Sequence, residues 1–425
     1  MSIFYRELLH LLEQQPNNLK GCDLSAVHLF QSIVQSLPPL PTKHHDYTRD
    51  LEHAEALLDL AQESILLYPY KSVPTCWRCM IMDAGILKAL CMLGQEDGGQ
   101  LTLDCARRMI CVLDTVVIVS GAPGPQRRQV ALETIQGLQD WLAKEQHEAT
   151  NSSNNNISLL GCSPLDMHDD DDPVISRDHS VPRLPGIPSF VDFVTRITTS
   201  ETPFIIPKGA IDHWPALEKW QSVPYLISVA GDRMVPVEIG SKYTDQDWQQ
   251  KLMRFEDFLR TYILPHDGDD DRPSAYLAQH DLFHQIPRLA NDIVTPDYCF
   301  CEPEPSELYP NPPPDVIQNA WFGPKGTVSP LHHDPYHNVL AQPVGRKYIR
   351  LYAPSQTQYL YPHQGIMSNT SQIDVEHPDH ETFPLVSKAE YLECILQQGE
   401  LLYMPPRWWH YIRSLSTSFS VSFWF

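Results

Sequence analysis

Three histidines and an aspartate crowd into the stretch SPLHHDPYHNVLAQ, residues 329 to 342. Such a cluster suits a metal site, but a polar loop or a buried hydrogen-bonded group looks the same. Reading Leu331-His332-His333-Asp334 as a strand sorts the four, because successive side chains face opposite ways. His332 and Asp334 then share one face, and His333 turns away with Leu331. A histidine and a carboxylate two apart on one strand begin a 2-His-1-carboxylate triad, which leaves positions open on a divalent iron. By itself the tripeptide is weak, since it recurs by chance.

The stretch GELLYMPPRWWHYIRSL brings His410 back on a later strand, 76 residues after Asp334. A histidine so placed closes the triad, although a core histidine among Trp408, Trp409 and Tyr411 has the same spacing. Lys347 tips the balance. In RKYIRLY it shares a face with Ile349 and Leu351, the apolar and inward one, where an ammonium needs an anion. A dicarboxylate chelating iron at one end would set its far carboxylate there. The competing reading is a lysine reaching solvent at the end of a barrel.

These side chains need elements to hold them. From residue 188 onward, short β-like runs (PFIIP, MVPVEIG, KYIRLYAP, ELLYMPP, SFSVSFWF) alternate with turns, and helical pieces such as FVDFVTRIT and FEDFLRTYILP lie among them. This predicts a β-sandwich or barrel with helical decoration over 188–425. Residues 1–147 read as five or so helices, a scaffold or partner-binding domain, with Gly94 and Gly121 as helix stops. Between them, 148–187 is Asn/Ser-rich, then acidic, then Pro-rich, and is expected to be a mobile linker. The Asp169–Asp172 run and the DGDDD at 267–271 read as solvated surface charge; the latter lacks the spaced ligands of an EF-hand loop.

Composition narrows the function. The 425 residues carry 31 Lys and Arg against 53 Asp and Glu, a formal net charge of −22, which disfavours direct nucleic-acid binding. A basic protein or peptide partner is compatible with it. The ten cysteines are scattered, and the one C-x-x-C, Cys76 to Cys79, sits in an apolar helical run, so buried thiols are expected. No signal-peptide pattern opens the chain, and MICVLDTVVIVSG, broken by Asp114, falls short of a membrane span. A nuclear or cytoplasmic protein is expected.

Residues 188–425 resemble a Jumonji-C (JmjC) domain of the 2-oxoglutarate- and Fe(II)-dependent oxygenases. NAWFGPKGTVSPLHHDPYHNVLAQPVGRKYIRLYAP and GELLYMPPRWWHYIRSLSTSFSVSFWF carry the likeness, and SAYLAQHDLFHQIP and VPVEIGSKYTDQDW agree. They are most similar to the branch named for lysine demethylation and also described as arginyl hydroxylases. The resemblance implies an α+β protein, an all-α helical domain followed by a double-stranded β-helix of cupin-like, jelly-roll type. It implies His332, Asp334 and His410 as iron ligands. It implies Tyr276, Trp321, Ser329, Asn338, Lys347 and Trp424 around 2-oxoglutarate, and Glu238, Trp248 and Gln279 around the target side chain. A carboxylate and an amide flanking an aromatic suit a guanidinium.

The implied reaction oxidises a C–H bond with O2 while 2-oxoglutarate becomes succinate and CO2. Hydroxylation of an arginine in a protein or peptide substrate is the first reading. Demethylation of N-methyl-lysine is the second, an inert metal-binding cupin module the third, and metal-assisted peptide hydrolysis stays open. The helical domain could hold a protein partner. His333 is a bystander, and His337 receives no role.

Overall fold

Polar side chains at the ends of apolar runs set the helices. In the computed structural model, which describes residues 2–14, 18–69, 72–96, 101–152, 172–240, 248–264 and 274–425, six helices fill the first part among those residues. They are α1 (Ser2–Gln14), α2 (Leu24–Ser36), α3 (Tyr47–Leu66), α4 (Thr75–Gln95), α5 (Leu103–Ser120) and α6 (Arg127–Ser152). Asp23, Asp46 and Thr102 accept backbone N–H bonds at the starts of α2, α3 and α5, the groups a helix N-terminus leaves unpaired. Gly121 ends α5 in the left-handed region at φ 70°. Gly94 does not end α4. It lies inside the last turn because the Tyr47 ring packs where its Cβ would be, 2.3 Å from Tyr47 Cε1. Gly85 is likewise a close-approach residue, since a Cβ there would fall 2.4 Å from Val116 Cγ1 on α5. Cys76 and Cys79 are buried in this core, as their apolar setting predicts.

The chain divides into two units, Met1–Ile157 with Asp232–Met234, and Ser158–Gly231 with Val235–Phe425. Among the described residues no helix is long and apolar enough to cross a membrane.

The second unit opens on α7 (Phe190–Thr199), capped by Ser189 Oγ on the Asp192 N–H at 3.1 Å. Its strands are β1 (Phe204–Ile206), β2 (Met234–Ile239), β3 (Gln249–Arg254), β4 (Ala275–His280), β5 (Ile317–Gly323) and β6 (Val328–His333), then β7 (Asn338–Val344), β8 (Lys347–Tyr352), β9 (Leu392–Leu396), β10 (Leu401–Met404), β11 (Trp409–Ser414) and β12 (Ser418–Trp424). They form an eight-stranded sheet, β1-β10-β7-β12-β5-β4-β2-β3, and a four-stranded sheet, β6-β11-β8-β9. The two make the cupin-like sandwich.

Alternation explains strands that are apolar throughout. On β10, Leu402 and Met404 face the layer shared with Ile349, Leu351 and Leu396 of the small sheet. Leu401 and Tyr403 face an outer core with Phe193, Trp220 and Phe419. Both faces are covered, so polar positions are not needed on either.

Residues 172–187, which composition assigned to the linker, dock on both sheets. Asp172 pairs with Arg346. The Val181 N–H donates to Glu393 O on β9 at 3.0 Å, and the Leu184 N–H to Ile205 O on β1 at 2.9 Å. Backbone groups lying against a free sheet edge order a sequence whose side chains could not. Asp169 to Asp171 and the 267–271 run lie outside the described residues.

Candidate active site

β6 and β11 pair antiparallel with His332 opposite His410, and the two imidazoles meet at 4.2 Å between centroids. His410 Nε2 lies 3.5 Å and His332 Nε2 4.0 Å from Asp334 Oδ2. These atoms lie within 4.8 Å of one another, a group of ligating type that could hold a metal ion. The imidazoles are oriented from behind. His332 Nδ1 is 2.7 Å from Pro330 O and His410 Nδ1 3.0 Å from Trp408 O. A carbonyl only accepts, so each Nδ1 carries a proton, and each Nε2 is the nitrogen turned toward the carboxylate. Burial, with the charge of His410, pushes the His332 pKa down to about 4, so it is neutral near pH 7. Burial raises the Asp334 carboxyl, but the hydrogen bond to His410 and the neighbouring His332 and His333 outweigh it and hold it below the ordinary value. Two imidazole nitrogens and a carboxylate oxygen form a donor set that fits a divalent iron.

A bulge brings a second β6 side chain to this face. His410 pairs with His332 but Ile412 with Ser329, so two steps on β11 answer three on β6. Strict alternation would send Ser329 away from His332; the extra residue returns it.

Lys347 begins β8 on the same interior face and is buried. Its Nζ donates to Tyr276 Oη at 3.0 Å, and burial pulls its pKa down to about 7. The Tyr276 ring lies beside Trp321, and Gly323 leaves it room, since a Cβ there would reach Tyr276 Cδ2 at 2.8 Å. Trp321 Nε1 donates to Ser422 Oγ at 2.9 Å. Asn338 is buried, and its Oδ1 has no hydrogen-bond partner among the described residues. Tyr276, Trp321, Ser329, Asn338, Lys347 and the three metal-type residues line one inner space of about 20 Å³, with Met404 and Ile412 closing it. Trp424 is not among its lining residues. Its ring packs on Tyr336 at 5.6 Å, and Ser422, two positions earlier on β12, takes the place at the space.

Glu238, Trp248 and Gln279, far apart in sequence, come together with Tyr276, Trp321, Ser329, His332 and Asp334 around an outer cavity of about 460 Å³. Burial raises the Glu238 carboxyl, and the nearby Trp248 indole opposes the rise. Gln279 holds a left-handed backbone, φ 47°. Met367, Asn369 and Thr370 line this cavity too. Nothing in the local sequence marked them; pairing of 369–371 along the β6 edge brings them in.

His333 turns outward against the Trp409 ring at 4.6 Å. His337 is structural: its Nδ1 lies 2.8 Å from the Tyr403 hydroxyl, and its ring packs with Tyr309 and Phe425.

The double sheet, the triad between its strands and the buried lysine beside it define an enzyme of the cupin class. Residues 191–425 match the family described as a cupin-like domain, and the chain belongs to the JmjC oxygenases of that family, which in general use Fe(II) and 2-oxoglutarate. It is 39% identical to lysine-specific demethylase 8 of Xenopus tropicalis over 87% of each chain. It is 50% identical to the protein of that name from Danio rerio over 60% of each chain. It is 26% identical to the human bifunctional peptidase and (3S)-lysyl hydroxylase JMJD7, over 58% of this chain and 84% of that one.

Proposed function

We propose that the protein hydroxylates an arginine side chain of a protein substrate, with Fe(II) at His332, Asp334 and His410 and 2-oxoglutarate against Lys347. One observation carries the choice of target: Glu238, Trp248 and Gln279 share a cavity with His332 and Asp334. A carboxylate and an amide supply acceptors for the guanidinium fork, and the indole supplies a face for its plane.

Iron and 2-oxoglutarate, when bound there, would supply the O2-dependent oxidation, with succinate and CO2 as the products of the diacid. The chain's own residues do the rest. The Pro330 and Trp408 carbonyls fix the imidazole tautomers. Lys347 and Tyr276 Oη receive the far carboxylate, and Ser329 and Asn338 offer polar contacts beside it. Glu238, Trp248 and Gln279 hold the target so that one C–H bond faces the metal and water is kept away.

Demethylation of N-methyl-lysine is the second reading, favoured by the names of the relatives and by the Trp248, Trp321 and Tyr276 lining, which suits a methylated ammonium. Mass spectrometry of treated peptides separates the two. Hydroxylation adds an oxygen to an arginine peptide, whereas demethylation removes a methyl from a lysine peptide. Lysine peptides that lose methyls while arginine peptides stay unchanged would overturn the first reading. Succinate release that disappears in His332→Ala ties the turnover to this site and excludes an inert module.

A further inference from the structure

A hairpin closes the free edge of β6. The Gln372 N–H donates to Tyr361 O at 3.0 Å and the His363 N–H to Thr370 O at 2.8 Å, which joins its arms. The inner arm is bound to β6 by the Ser371 N–H on Leu331 O at 2.8 Å and the His333 N–H on Asn369 O at 2.9 Å. Asn369 Nδ2 adds a bond to His333 O at 3.2 Å. The hairpin is therefore fixed to the strand that carries His332.

Its tip is a short turn, Gly365–Met367, that sets Ile366 99% and Met367 36% exposed. Gly365 takes φ 72° there. Covering such an aliphatic side chain removes apolar area from water, so leaving it bare is a standing cost. Met367 also lines the cavity of Glu238, Trp248 and His332. The apolar tip and the cavity wall are thus continuous through Met367, so a chain lying across the tip can feed a side chain inward. The side chains from Gln364 to Ser368 are all uncharged, and methionine adapts its shape to what covers it.

We propose that Ile366 and Met367 dock an apolar side chain of the protein substrate, close in sequence to the basic residue that enters the cavity. The class of substrate is then a segment in which the target residue has an aliphatic or aromatic neighbour, and charged neighbours are disfavoured. This rests on the reading of the cavity as the place of the target residue.

The test uses the full chain with Mn(II) in place of iron and with 2-oxoglutarate, so that peptides bind without turnover. Three degenerate peptide libraries are offered, with a central arginine, trimethyl-lysine or alanine, and bound peptides are sequenced. The expected result is apolar enrichment of about three- to tenfold at flanking positions around a basic centre, a modest share of the burial energy. The enrichment should fall in I366S, at a position outside the cavity lining, which keeps 2-oxoglutarate binding and the preference for a basic centre, and it should vanish in the double variant I366S/M367S. Flanking positions without apolar preference, or a preference unchanged in the double variant, would overturn the docking site and leave the basic-target reading standing. Apolar selection dependent on Ile366 and Met367 but indifferent to the central residue would keep the tip and overturn that reading. Selection of neither overturns both.

Discussion

The Arg407 backbone N–H donates to Asp334 O at 2.8 Å, and Arg407 holds φ 63° to do so. The left-handed turn before His410 is thereby tied to the carboxylate member of the triad. Such a conformation costs a residue with a Cβ about 1–3 kcal/mol. Arg407→Gly should keep stability within about 1 kcal/mol, strain relief offsetting chain entropy. Arg407→Pro lacks the N–H and cannot reach that φ, and should weaken metal affinity by about 10–100-fold. Mn(II) titration calorimetry on both variants checks this; equal affinities would show that the turn does not position Asp334.

The Lys347 pKa, about 7 against an ordinary 10.5, has a definite sign. Between those values the unfolded chain holds a proton that the folded chain has released. Its contribution to stability therefore rises with pH from about 7 to 10.5, and the cost of the buried charge is full below 7. A bound carboxylate pulls the pKa back up, so 2-oxoglutarate binding takes up a proton above pH 7. Affinity should fall by up to about tenfold per pH unit there. Calorimetry in buffers of different ionisation enthalpy measures the uptake.

Removing the charge separates stability from binding. Lys347→Met should raise the melting temperature of the ligand-free protein, by about 1 kcal/mol or more of stability, and abolish the stabilisation given by 2-oxoglutarate. Thermal melts with and without the diacid show both effects. Undiminished binding in the variant would place the far carboxylate elsewhere.

Metal should stabilise only through the triad. Mn(II) at a hundredfold over its Kd should add about 2.7 kcal/mol to unfolding, and Asp334→Ala should remove that increment. Chelator should return wild type to the melting temperature of the variant.

Gly345 and Gly85 test packing away from the chemistry. A Cβ on Gly345, at φ 74°, would lie 2.1 Å from Thr417 O, a backbone atom that cannot step aside. Gly345→Ala should cost more than Gly85→Ala, where the obstacle is the Val116 side chain and the expected loss is about 1–3 kcal/mol. Denaturant midpoints rank the two.

Side-chain alternation made His332, Asp334 and inward Lys347 legible, because a strand's period of two survives in sequence. Ser329 shows where this fails: the β6 bulge adds a residue, and no local pattern announces it. Trp424 was assigned to the inner space through the family likeness, while the structure sets its ring on Tyr336 and brings Ser422 inward. Gly94 read as a helix stop because its tertiary neighbour, the Tyr47 ring, is invisible from sequence. Met367, Asn369 and Thr370 were hidden for the same reason, since contact across the β6 edge leaves no periodic mark.

The strap of residues 172–184 has a practical consequence for where the catalytic unit can be cut. It lies against β9 through Val181 and against β1 through Leu184, the outermost strand at one end of each sheet. A fragment trimmed to the family boundary at residue 191 would leave both strands with bare N–H and C=O rows, templates for pairing between chains. Such a fragment should self-associate with the triad still in place. One that starts at residue 172 keeps its edges closed.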